Sequence, residues 1–231
     1  ALPAPTTPSF SLVCGSDTYI RKSVMGDIRD ASALQTAMQE ANPDLVLHLA
    51  AQSLVRYSYK EPVETFEVNV LGTVHLLEAA RQTKSVKSVT IITTDKCYKN
   101  NEWEWPYREN EAMGGHDPYS SSKGCAELVT AAYRNSFFLE QGVRIGSARA
   151  GNVIGGGDWA EDRLIPDFLR AMDNEQTLII RSPHATRPWQ HVLEPLSGYL
   201  ALAEQLYSTA IGEVDEAWNF GPNEIDARPV S

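Results

Sequence analysis

PYSSSKGCAELVTAAYRNSFFLEQGVRIGSARA, residues 118–150, is the stretch that decides the fold. It reads as one long helix, Pro118 to Gln141, closed by Gly142, and then a strand, Val143 to Ala150. Proline suits a first helical turn, where its missing N–H would have no partner anyway. Glycine takes the left-handed conformation that ends a helix. The same pairing recurs upstream. SVTIITT (88–94) is an apolar run of strand length, with the look of a strand buried on both faces. Residues 62–83 form a helical pattern in which Val63, Phe66, Val70, Val74 and Leu77 recur at spacings of three and four and predict a buried face. DLVLHLA (44–50) is an earlier strand, also read as buried on both faces. Strand alternating with helix predicts an α/β protein built on a doubly wound parallel sheet.

Beyond Gly151 the texture changes. Gly155, Gly156 and Gly157 form a loop, Leu164 to Met172 a short amphipathic helix, and Thr177 to Arg181 a strand. Val192 to Tyr207 is a further helix, followed by a strand at Ala217 to Phe220. The expected division is a domain at 1–150 and a smaller lobe at 151–231 that also supplies late elements of the sheet. Ala1 to Pro8 is Pro-rich without periodicity and reads as a connection inside a larger protein.

The 231 residues carry a net charge of -10, with 42% hydrophobic and 22% charged residues, an ordinary balance for a globular enzyme. That charge argues against nucleic-acid or anionic-membrane partners, although a few local arginines could still bind an anionic substrate. Cys14, Cys97 and Cys125 show no C-x-x-C spacing, hence no zinc or other metal signature, and read as reduced thiols of a cytoplasmic protein. No run reaches the roughly 18 apolar residues of a membrane span, and no signal peptide is visible.

The chemistry centres on Tyr119 and Lys123. Four residues apart on a helix, they share one face. A phenol titrates near about 10, and a neighbouring ammonium should lower that value and make it a usable acid or base for a hydroxyl. A helix surface often yields this pair by chance, so context matters. Thr93, Thr94, Asp95 and Lys96 follow a buried strand, where open α/β sheets bind ligands; the plainer alternative is a capped loop with a surface Asp–Lys pair. Asp27 and Ile28, in GDIRD (26–30), could meet an adenine, or Asp27 or Asp30 could simply cap a helix. Leu49, Ala50, Ala51 and Gln52 end the first strand, and the small side chains among them would let a cofactor approach the backbone or a helix pack closely. GNVIGGG (151–157) lacks dinucleotide-fingerprint spacing and reads as a flexible loop near the substrate. Arg187 offers a guanidinium suited to phosphate, or to a surface ion pair.

Taken in order, G-D-I-R-D (26–30), H-L-A-A-Q (48–52), N-V-L-G-T (69–73), T-T-D-K (93–96), Y-S-S-S-K (119–123), A-R-A-G-N (148–152), R-L-I-P (163–166) and R-P-W-Q-H-V (187–192) resemble the extended short-chain dehydrogenase/reductase family, from about Gly26 to Pro222. The resemblance implies a Rossmann-like fold, NAD as cofactor and a nucleotide-sugar substrate. Thr-Asp-Lys, with GGHDPYSSSKG (114–124) and GNVIGGGDWAEDRLIPD (151–167), looks like the sugar-nucleotide 4,6-dehydratases, specifically the branch that uses CDP-glucose. Most of those enzymes carry Glu where this chain has Lys96. By resemblance Tyr119, Lys123, Thr94, Asp95 and Lys96 are catalytic, with Lys96 either a base of depressed pKa or a cation. Asp27, Ile28, Leu49, Ala50, Ala51, Gln52, Thr73, Tyr119 and Lys123 are expected to line NAD, and Ser53, Asn152, Arg163 and Arg187 the substrate. A homodimer or homotetramer is implied. The family's first strand, Gly-rich turn and second strand are expected upstream of Ala1, and the end of the substrate lobe downstream. Dehydratases of dTDP-glucose or GDP-mannose and 4-epimerases remain alternatives, as does a dinucleotide-binding scaffold protein without activity.

Overall fold

The computed structural model describes residues 6–210 and 212–230; Ala1 to Pro5, part of the Pro-rich start, lie outside them. In chain order the elements are α1 (Phe10–Cys14), α2 (Ala31–Ala41), β1 (Leu45–His48), α3 (Val55–Lys60), α4 (Pro62–Phe66), α5 (Gly72–Arg81), β2 (Ser88–Ile92), α6 (Pro118–Tyr133), α7 (Leu139–Gln141), β3 (Arg144–Ala150), β4 (Val153–Ile154), α8 (Leu164–Asp173), β5 (Thr186–Pro188), β6 (Gln190–His191), α9 (Leu193–Ser208), β7 (Ala217–Phe220) and β8 (Ala227–Pro229). A π turn at Glu67–Leu71 joins α4 to α5, and another at Arg134–Phe138 joins α6 to α7. Both long helices read from the sequence are therefore single helical bodies with a widened turn inside. Gly142, at φ 73°, ends the second of them.

The main sheet runs β1-β2-β3-β7, and every pairing in it is parallel. Side chains alternate across such strands, so each face needs its own cover. Val89, Ile91 and Ile145 point to one face and pack with Leu76, Leu77, Ala80 and Phe138 of the helical bodies. Ala148 and Ala150 point to the other, under Tyr199, Leu202 and Leu206 of α9. Each large side chain fully buried here, such as Leu77 or Phe138, contributes about 1.5–3 kcal/mol. The doubly wound, Rossmann-like sheet is thus as expected, and β7 and α9 return to it from beyond Gly151.

Three expectations need correction. Thr177–Arg181 forms no strand; Ile179 is 82% exposed, and an apolar run without a neighbouring strand cannot pair. β1 is not covered on both faces: among the described residues it pairs with β2 alone, and Leu47 is exposed. The predicted stripe on residues 62–83 also holds only in part: Leu77 is fully buried, Val70 and Val74 are half-buried, and Val63 and Phe66 are exposed. Val63 is 70% exposed, and the buried face instead carries Thr65, Asn69, Gly72, Thr73 and Leu76. The π turn adds a residue and breaks the 3.6-residue phase. Hydrogen bonds to the loop after β1 offset the burial of the polar groups.

Candidate active site

The site is built at the carboxyl end of the main sheet. β2 delivers Thr93 and Thr94, both buried, and the chain then closes a 3₁₀ turn at Asp95–Cys97. Thr94 Oγ1 donates to Asp95 Oδ1 at 3.0 Å, and Lys96 Nζ donates to the same oxygen at 3.0 Å. Both readings of this segment hold in part: Thr94 caps the turn, accepting from Lys96 N at 3.4 Å, and the Asp–Lys pair is formed.

α6 brings Tyr119 and Lys123 to the same place. Asp117 caps it, its Oδ1 accepting from Ser120 N at 2.9 Å, and Pro118 occupies the first turn. Tyr119 N donates to Ser58 Oγ of α3 at 3.2 Å. Lys123 Nζ reaches the Ile92 carbonyl at 3.2 Å, at the end of β2. The phenol lies within electrostatic reach of Asp95, Arg163 and Asp117 and against the Thr94 hydroxyl. Its titration differs from the expectation. Burial pushes Tyr119 up to about 12, with Thr94 pulling the other way, rather than an ammonium drawing it down. Burial also lowers Lys123, to about 8, against the pull of Glu127. Desolvation outweighs pair attraction for both groups.

The loop after β1 is fixed by a polar ladder. Asn69, in the first π turn, accepts from Gln52 N at 2.9 Å, donates to Gln52 O at 3.0 Å and donates to Ser122 Oγ at 2.9 Å. Thr73 donates to Asn69 O at 2.7 Å and lies 3.1 Å from His48 Nε2. Among the described residues the buried His48 Nδ1 has no hydrogen-bond partner, and burial, helped by Lys123, lowers the His48 pKa to about 3. Leu49 and Ala50 are exposed and Ala51 half-buried just past β1, so backbone and small side chains are open there.

Arg163 joins this loop to the later segment, donating to Ser53 Oγ at 3.1 Å and to Asp158 at 2.9 Å. The close approach at Gly151 does the same for Asp95. A Cβ at Gly151 would sit 2.6 Å from Pro188 Cγ and 3.2 Å from Asp95 Oδ2, so only glycine fits between the carboxylate and β5. Asn152, next in the chain, has a buried Oδ1 without a hydrogen-bond partner among the described residues. Arg187 extends from β5 and donates to its neighbour Thr186 O at 3.0 Å; among the described residues it has no ion-pair partner, against the surface-pair alternative. Asp27 and Ile28 lie away from this cluster. Arg29 occupies the Asp27 carboxylate at 2.6 Å and holds its pKa down, while Ile28 O accepts from His75 at 3.1 Å on α5. Asp30, not Asp27, caps α2.

The geometry therefore gathers Thr94, Asp95, Lys96, Tyr119, Lys123, Ser53, Arg163 and Asn152 around one end of the sheet. The sequence reading missed Asn69, Ser122, His48, Glu127 and Asp158. The signal available was polar residues at helical spacing, Asn69 four before Thr73 and Glu127 four after Lys123.

The family model for GDP-mannose 4,6 dehydratase matches residues 17–221. The chain belongs to that family. The relatives of this GDP-mannose 4,6 dehydratase family member include the CDP-glucose 4,6-dehydratase of Salmonella typhimurium, 57% identical over the whole chain and 65% of the relative. The dTDP-D-glucose 4,6-dehydratase of Dictyostelium discoideum is 28% identical over 87% of this chain and 46% of its own length. The crystal structure of a double mutant of dTDP-glucose 4,6-dehydratase from Streptomyces venezuelae, with NAD bound, superposes with a TM-score of 0.77 at 27% identity, covering 90% of this chain and 61% of that one. The chain thus spans less than two thirds of these relatives. Among the described residues, no helix of this family member is long and apolar enough to cross a membrane.

Proposed function

We propose that the intact protein is an NAD-dependent lyase that converts CDP-glucose to CDP-4-keto-6-deoxyglucose. The observation that carries this reading is the meeting of the Tyr119 phenol with Thr94 and Asp95 at one end of the sheet. The 57% identity to a CDP-glucose 4,6-dehydratase favours CDP-glucose over dTDP-glucose or GDP-mannose.

In this reading Tyr119, as its phenolate, takes the proton of the sugar 4-hydroxyl, with Thr94 donating to the phenolate oxygen and Lys123 supplying positive charge behind it. NAD, when bound, supplies the hydride acceptor for C4 and the donor for C6. The 4-ketone acidifies the C5 proton; a base removes it, and Asp95, in its protonated form, gives a proton to the 6-hydroxyl, which leaves as water. Lys96, half-exposed and paired to Asp95 at 3.0 Å, suits a cation that stabilises the enolate better than a base. An epimerase needs no acid at this position. Ser53, Asn152, Arg163 and Arg187 would hold the sugar and diphosphate, since a guanidinium matches phosphate in geometry and charge.

The residues present fit the cofactor. The open backbone at Leu49, Ala50 and Ala51, the pinned Gln52, the buried Thr73, and Tyr119 and Lys123 could line its nicotinamide side. At the other end Ile28 and Asp27 could meet the adenine, Asp27 sharing its carboxylate with Arg29. Residues 1–150 would form the NAD-binding domain and 151–231 the substrate lobe, with β7 and α9 returned to the sheet. A homodimer or homotetramer is consistent with exposed Val63, Phe66 and Leu128 on the long helices. Three free cysteines suit the cytoplasm.

The test is incubation of the intact protein with NAD⁺ and CDP-glucose, read by the alkaline ultraviolet absorbance of the 4-keto product. Product is expected from CDP-glucose in preference to dTDP-glucose or GDP-mannose. Absence of product from every nucleotide sugar would refute the dehydratase reading.

A further inference from the structure

Behind the site lies a buried ion pair that none of the roles above uses. Glu127 and Arg149 are each 5% exposed at the side chain and meet at 2.7 Å. Glu127 also accepts from Ser147 Oγ at 2.8 Å and from the Thr93 hydroxyl. Arg149 is held from behind by the Tyr98 hydroxyl at 2.7 Å and the Glu109 carbonyl at 2.9 Å, with the Tyr98 ring 5.0 Å from its guanidinium. A buried ion pair is weak evidence for stability alone, because desolvation cancels much of the attraction. Its place is more informative. Glu127 is one helical turn after Lys123, and Thr93 immediately precedes Thr94 and Asp95.

We infer that Glu127, anchored by Arg149, is a positioning residue of the active site: it clamps Thr93, and so the turn carrying Thr94 and Asp95, and it sets a carboxylate one helical turn from Lys123 on α6. This deepens the dehydratase reading and rests on it. The groups facing Lys123 are few. His48 faces it from β1, Cys97 from the turn after β2, and Tyr119 and Glu127 from its own helix, with Arg149 of β3 beyond Glu127. α3 and the first π turn present the neutral Ser58 and Asn69 to α6. His48 is itself kept neutral by burial, so Glu127 is the anion among these groups. Burial lowers Lys123 to about 8, and the Glu127 carboxylate opposes that fall.

The decisive variant is Glu127→Gln, which keeps the volume and removes the charge. In the intact enzyme with NAD⁺ and CDP-glucose, kcat should fall about tenfold with KM changed less than about threefold. The loss of activity at alkaline pH should begin roughly 1 unit lower than in the wild type. ε-Carbon NMR of ¹³C-lysine-labelled protein, assigned with Lys123→Met, should show the same displacement of the Lys123 titration without any substrate. If the wild type turns over no nucleotide sugar, the dehydratase reading fails and the NMR titration alone decides the role of Glu127. Should Glu127→Gln fail to fold, Thr93→Val leaves the ion pair intact and should still lower kcat at unchanged KM. An unmoved Lys123 titration and alkaline limb in Glu127→Gln, or wild-type kcat in Thr93→Val, would overturn the inference.

Discussion

Asp95 presents one oxygen to two donors, the Thr94 hydroxyl and the Lys96 ammonium, both at 3.0 Å, and turns the other toward Gly151. An acid that must give its proton to a leaving hydroxyl has to carry it on an oxygen that two donors do not already hold. Lys96→Ala is expected to slow elimination more than the initial oxidation, read as loss of C5 proton exchange with solvent; a variant with normal exchange would contradict that role. Burial pushes the Tyr119 phenol up to about 12, and the Thr94 hydroxyl pulls the other way, so proton transfer depends on Thr94. Tyr119→Phe removes the oxygen that takes the proton and leaves the ring. Turnover should fall by about 10²–10⁴-fold with substrate binding largely spared, measured by steady-state kinetics beside equilibrium titration. The Tyr–Lys spacing was legible in the sequence. The sign of the phenol shift was not, because burial cannot be read from spacing.

The element that organises the site is α6, which carries Tyr119, Lys123 and Glu127 on one face at intervals of four. Its start is set by Asp117, bonded to Ser120 N at 2.9 Å and Ser120 Oγ at 2.6 Å. Asp117→Ala should cost about 1 kcal/mol and lower the melting temperature by about 2–4 °C. It should also reduce kcat, since Tyr119 lies two residues inside the cap; calorimetry and kinetics on the same preparation check both. The helix ends at Pro118 and Gly142 were legible because proline and glycine act locally. The π turns were not, since nothing local in the apolar pattern marks an extra residue in a turn. Reading residues 62–83 at constant phase selected Val63 and missed Asn69, a buried polar group whose partners, Gln52 and Ser122, are distant in sequence.

Across the molecule, the sequence order of strands and helices was enough for a parallel sheet with helices on both faces, because a buried parallel strand reads as a continuous apolar run. β2 obeys that rule; β3, RIGSARA, is buried without an apolar run, and β1 keeps the run with Leu47 exposed. The site follows from the same topology: β1, β2 and β3 all end at one edge, so HLAAQ, TTDK and ARAGN must gather there. The central claim is that Tyr119, Thr94 and Asp95 act on one hexose. It is tested most directly by giving the intact protein CDP-glucose deuterated at C4 and reading the product by mass spectrometry and NMR. The account predicts a 4-keto product with deuterium at C6. Deuterium still at C4 of a sugar without a ketone, or absent from C6 of the product, would contradict it.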